Sequence, residues 1–141
     1  MVIKMKTERK SISSLILQIA LGLMFLVSGI WSLQRGNGDE IAIAIRSIFD
    51  GDIENVVVIA FAIIEIITGV FLLLRIFVFL GTNLDKVFML IILICWIVCI
   101  VMTDFIGPNG IMNYLNSNFL SFVNRFANHL LILGAIIKVS E

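Results

Sequence analysis

Residues 56–74 read VVVIAFAIIEIITGVFLLL, nineteen residues with a single charge, Glu65, near the middle. A hydrocarbon core of about 30 Å is crossed by roughly 20 helical residues, so this stretch reads as a membrane span. Three other apolar runs match it, at 13–34, 87–103 and 119–137, and the Glu65 run itself extends over 55–80. Across 141 residues, 60% are apolar and 14% are charged, against about 25% charged in a soluble domain. The expected fold is an all-α membrane protein, one domain built as a four-transmembrane-helix bundle embedded in the lipid bilayer.

Outward from the spans, residues 35–54 are polar and acidic, but within 39–50 Ile41, Ile45, Ile48 and Phe49 fall on one helical face. The alternation Ile41-Ala42-Ile43-Ala44-Ile45 also suits a strand, yet a lone strand at a bilayer has no edge to pair with. The segment reads as a short amphipathic interfacial helix between helices one and two, with Asp39 as N-cap and Gly51 as its stop. Gly81–Lys86 reads as a polar turn that makes runs two and three antiparallel neighbours, and Arg75 before it as a side chain that snorkels to headgroups. Gly107-Pro108-Asn109-Gly110 is the strongest turn signal. Trp31 and Tyr114 suit an interface belt, whereas Trp96 at mid-helix suits packing.

Basic residues near span ends set topology. An inside N-terminus puts Lys4, Lys6, Arg9, Lys10, Arg75, Lys86 and Lys138 on one side, against Arg35, Arg46 and Arg125 on the other. The expectation is an integral protein of a bacterial cytoplasmic (inner) membrane with both termini cytoplasmic. The first run is too long for a cleaved signal and ends without a small-residue cleavage site, so it reads as a retained anchor.

A carboxylate at bilayer depth costs roughly 2.5–3.5 kcal/mol on insertion scales and is expected to face protein. Its candidate partners lie in the last run, where Ser121, Asn124, Arg125, Asn128 and His129 form one polar stripe. The candidate intramembrane polar site is therefore Glu65, Arg125, Asn128 and His129. An imidazole titrates near neutral pH, so this set suits a quinone head group or a proton relay. The same residues also suit a hydrogen-bonded knot that fixes helix register, at about 0.6 kcal/mol per interhelical bond. Gly22 and Gly29, with Ser28 and Ser32 beside them, suit close helix packing.

Zero net charge offers nothing to a nucleic acid or an acidic partner. Cys95 and Cys99 stand four apart on one helix face, a spacing that suits packing and disfavours a disulfide. No phosphate loop, dinucleotide fingerprint or zinc-ligand cluster occurs in the sequence. A single histidine excludes bis-histidine haem ligation within one chain, and two cysteines exclude an iron–sulfur set. The isolated chain is therefore expected not to complete a redox reaction alone.

Leu21-Gly22-Leu23-Met24-Phe25-Leu26-Val27-Ser28-Gly29-Ile30-Trp31-Ser32-Leu33 resembles the G-x-x-F-x-x-x-G-x-x-K-L opening of DoxX-like membrane proteins. Glu65-Ile66-Ile67-Thr68-Gly69-Val70-Phe71-Leu72 is similar to the E-x-x-x-G-x-x-L stretch of that family's second helix, which adds Gly69 to the packing glycines. Ser32 departs from the pattern, standing where many relatives carry lysine. The resemblance implies an accessory or small subunit of a quinone-linked membrane redox system, beside a membrane or extracytoplasmic oxidoreductase partner. Non-catalytic assembly or scaffolding is the alternative. A small-solute carrier is disfavoured by the lack of paired broken helices or an inverted repeat.

Overall fold

The structure is a computed structural model that describes residues 11–34, 40–108, 110–111 and 119–141. The elements are α1 (Ile12–Leu33), α2 (Glu40–Ile48), α3 (Asp52–Leu74), α4 (Thr82–Ile100) and α5 (Phe119–Ser140). A π-helical segment, Val101–Ile106, continues α4. Four helices, with the π segment counted into α4, are long and apolar enough to cross a membrane. Every regular element among the described residues is helical, so the protein is an all-α membrane bundle with a short helix between its first two spans. Asp39, Asn109, Tyr114 and the basic residues at 4–10 lie outside the described residues.

Large apolar side chains such as Ile63, Ile67, Leu90, Ile94 and Leu131 are exposed around the outside, the surface that hydrocarbon covers. Inside, Leu72 and Ile136 are fully buried, and Phe25 meets Trp96 edge to face at 5.5 Å. The tightest pairing is α1 against α3, and glycine makes it possible. A Cβ on Gly69 would stand 2.7 Å from the Gly22 carbonyl oxygen, and one on Gly29 2.7 Å from that of Ala62. At Gly22 the neighbour is the flexible end of Leu73, at 2.8 Å. Because 22 meets 69–73 and 29 meets 62–66, the two helices run antiparallel. Gln18, wholly buried, pins the same seam by donating from Nε2 to the Leu72 carbonyl at 2.8 Å.

The remaining neighbours of the ring are α1 with α5 and α5 with α4. α3 and α4 are joined chiefly by side chains, with the Phe71 and Phe88 rings 4.8 Å apart. Their connection differs from the expectation. α3 ends at Leu74 rather than near residue 80, and α4 already starts at Thr82, after Gly81 at φ +82°. Arg75 does not snorkel: its guanidinium grips Asp85 through Nε (2.5 Å) and the second terminal nitrogen (2.6 Å), while the first donates to the Val139 carbonyl (2.8 Å). Its side chain is 9% exposed. One residue thus ties the ends of α3, α4 and α5, a match of a planar fork to a carboxylate that lysine does not reproduce.

At the other end α2 lies across the bundle, burying Ile41, Ala42, Ala44 and Ile45. Gly51, at φ +69°, turns the chain from α2 into α3. Arg46 and Glu54 add an ion pair at 3.5 Å across that turn.

Candidate functional site

The site forms where α4 ceases to be a regular α-helix. Over 101–106 the ladder widens, and the Gly107 N–H donates five residues back to Met102 at 2.7 Å. A π segment inserts a residue into the turn and re-aims the side chains that follow. Here it carries Asp104 to the interior, where the residue is 0% exposed. Gly110 then donates to the Gly107 carbonyl at 2.8 Å and Ile111 to that of Asp104 at 2.8 Å, closing the turn beneath it.

Asp104 is met by two side chains one helical turn apart on α5. Its Oδ2 lies 2.6 Å from His129 Nδ1, and its Oδ1 lies 3.4 Å from Arg125 Nε. His129 Nε2 faces Glu40 Oε2 of α2 at 3.4 Å. The imidazole stands edge-on to Trp96 at 5.7 Å, and Trp96 Nε1 donates to the His129 carbonyl at 3.2 Å. Four elements meet in this cluster: α2, α4, the π segment and α5. The hydrogen bond from His129 holds the Glu40 carboxyl below the usual glutamate range, against the opposing effect of burial and with help from the nearby Arg125 charge.

Glu65 belongs to a different contact. It is 5% exposed on α3 and faces α1, where Ser28 Oγ donates to its Oε1 at 3.1 Å. Ser32, one turn on, is buried and donates to the Ser28 carbonyl at 3.1 Å. Of the set expected with it, Arg125 and His129 pair with Asp104, and His129 lines one groove with Glu65. Ser28 is the hydrogen-bond partner of Glu65, because the helix that packs tightly against α3 is α1, and Asp104 occupies the inward face of Arg125 and His129. Asn128 leaves the site altogether, exposed on α5 with Ser121 and Asn124.

What joins the two groups is a groove of about 570 Å³. Its polar lining is Ser28 of α1 and Glu65 of α3 together with Glu40 of α2 and His129 of α5. Trp31, Trp96, Phe25, Met24 and Ile132 complete the wall. Leu23 and Val27, about half exposed on the outside of α1, edge it, so the groove opens towards the bilayer. Its size lies within the roughly 300–1,000 Å³ of small-molecule pockets. Behind Glu65, Cys95 and Cys99 line a separate small cavity of about 20 Å³ between α3 and α4, and both are thiols.

Three residues of this arrangement escaped the sequence reading. Asp104 follows directly on the third apolar run and resembles the polar residue that ends a span. Glu40 resembles one more solvated acid of a polar connection. Trp96 was assigned to packing, which it does against Phe25, but it also orients His129. The chain matches no protein-family model, no curated protein and no solved structure in the comparisons made.

Proposed function

We propose that the protein is a membrane-embedded accessory or small subunit of a quinone-linked redox system, of the DoxX-like kind, seated in a bacterial inner membrane with both termini cytoplasmic. One observation carries the reading. A groove edged by lipid-facing side chains brings a carboxyl from α3 and an imidazole from α5 to one aromatic-lined space. An apolar ring with polar substituents fits such a space, and quinones are lipid-soluble molecules of that form. The bias of basic residues supports the orientation. In this reading the oxidoreductase partner supplies the electron carrier, and the chain holds and orients the quinone-class molecule.

The test is saturable binding of a short-chain quinone or hydroquinone to the purified chain in nanodiscs, together with identification of proteins that co-purify with it. Binding lost in Glu65→Gln or His129→Ala supports the proposal, and no saturable binding of either redox form overturns it. A second reading, a non-catalytic assembly protein, rests on the pairing of Asp104 with His129 and Arg125, which fastens α5 to α4 and through Glu40 to α2. A chain that binds neither redox form yet is required for assembly of a partner complex would favour it.

A further inference from the structure

Among the described residues, the hydrogen-bonding inventory of the groove is one-sided. Its side-chain donors are turned to protein acceptors: Ser28 Oγ to Glu65 at 3.1 Å, Trp96 Nε1 to the His129 carbonyl at 3.2 Å. The ring nitrogens of His129 face Asp104 at 2.6 Å and Glu40 at 3.4 Å. Trp31, 52% exposed at the rim, is the other side-chain donor of the lining. Acceptors are in larger supply, because each carboxyl group accepts through two oxygens and the lining holds two such groups, Glu40 and Glu65. Apart from Trp31 at the rim, a ligand head that only accepts hydrogen bonds meets committed donors and carboxyl oxygens that repel its own lone pairs. A head that donates meets an acceptor from α2, Glu40, and one from α3, Glu65.

We infer that the groove selects an apolar molecule with hydroxyl groups at its polar end, a hydroquinone or phenol, over the quinone or ether that lacks those donors. The inference rests on the reading of the groove as a quinone-class site and adds which redox form the protein holds. A hydroxyl suits the site better than an ammonium. Arg125 already faces the Asp104 carboxylate and His129 lies between Asp104 and Glu40, so a cation entering beside α2 meets resident basic side chains. The apolar body of the ligand lies against Leu23, Val27, Met24 and Ile132 and arrives from the bilayer side.

Selectivity is measurable without redox chemistry. Both tryptophans of the chain line the groove, so intrinsic fluorescence reports its occupancy. The purified full chain in nanodiscs is titrated with 4-nonylphenol and with its methyl ether, 4-nonylanisole, after subtraction of partition into empty nanodiscs. A hydrogen bond to a charged acceptor is worth about 1.5–3 kcal/mol, so the phenol binds about tenfold or more tightly than the ether. That ratio falls towards one in Glu65→Gln or Glu40→Gln. Equal binding of phenol and ether to the unmodified chain overturns the inference, whether or not the variants fold. So does tighter binding of nonylammonium than of nonylphenol, which would make the site one for cations. A decyl-substituted hydroquinone and its quinone are then compared without oxygen, and tighter binding of the quinone also overturns it. Preference for the phenol with no binding of the hydroquinone supports the hydroxyl selectivity and sinks the quinone-linked function instead.

Discussion

Asp104, on the π-helical turn, faces His129 of α5 at 2.6 Å, a wholly buried carboxylate against the ring of a residue on the next helix. Arg125 lies beside the same carboxylate at 3.4 Å. Removing one partner of a buried charge pair leaves the others uncompensated, which typically costs about 3–5 kcal/mol. Asp104→Asn is therefore expected to lower the thermal stability of the purified protein by about that amount. The Asp104→Asn/His129→Gln double variant should lose less than the sum of the two single losses. Unfolding curves in detergent check this, and additive losses would mean that the two side chains are not coupled.

Glu40 makes the docking of α2 sensitive to acid. Its folded-state pKa is lowered, first by the hydrogen bond with His129. Its contribution is therefore fully present above the ordinary glutamate range and is lost as the pH falls through the lowered value. Amide hydrogen exchange in α2 should be slow at neutral pH and should accelerate on acidification below about pH 4.5. In Glu40→Gln the exchange of α2 should be faster at neutral pH and lose this acid-dependent component. An unchanged acid profile in that variant would assign the sensitivity to another group.

Gly69 and Gly134 separate packing glycines from incidental ones. A Cβ at Gly69 would collide with backbone, 2.7 Å from both the Gly22 carbonyl oxygen and the Leu26 nitrogen, while one at Gly134 meets nothing within 4 Å. Backbone cannot swing aside as a side chain does. Gly69→Ala should destabilise by about 1–3 kcal/mol, as overpacking does. Gly134→Ala should be neutral or slightly stabilising, since alanine is the better helix former. Equal melting temperatures for the two variants would contradict the close approach of α1 and α3.

Arg75 predicts a difference between two cations. Arg75→Lys keeps the charge and loses the fork that holds Asp85 and the Val139 carbonyl together. Its expected cost is about 1–3 kcal/mol, accompanied by faster exchange at the C-terminal end of α5. A side chain that merely reached for headgroups would tolerate the exchange.

Topology is checked by labelling single cysteines in a background where Cys95 and Cys99 are replaced. Asp50, in the turn after α2, should react with an impermeant thiol reagent from outside. Asn83 and Glu141, exposed near the opposite end, should react only after the membrane is opened. The reverse pattern would invert the orientation drawn from Lys and Arg.

Much of the architecture is legible in the order of residues alone, and the reason is local. Apolar runs near 20 residues, such as 56–74, must satisfy their backbone within the run, which leaves the helix as the available form. Ile41, Ile45 and Ile48 share a helix face whatever packs on them. The polar site is not local in this way. That His129 and Arg125 turn inward while Asn128, on the same stripe, faces out depends on where α4 and α2 lie around α5. Asp104 reads as the end of a span until one inserted residue widens the ladder and swings it to the interior, a change that no spacing along the chain announces. Glu65 declares itself by its cost in hydrocarbon, but its partner Ser28 follows from the closeness of α1, which glycines 22, 29 and 69 permit. The residue order thus determined how many helices cross the membrane and that a carboxylate had to be sheltered among them. Tertiary packing decided which side chains shelter it, because hydrogen bonds and ion pairs depend on distances between helices far apart in the chain.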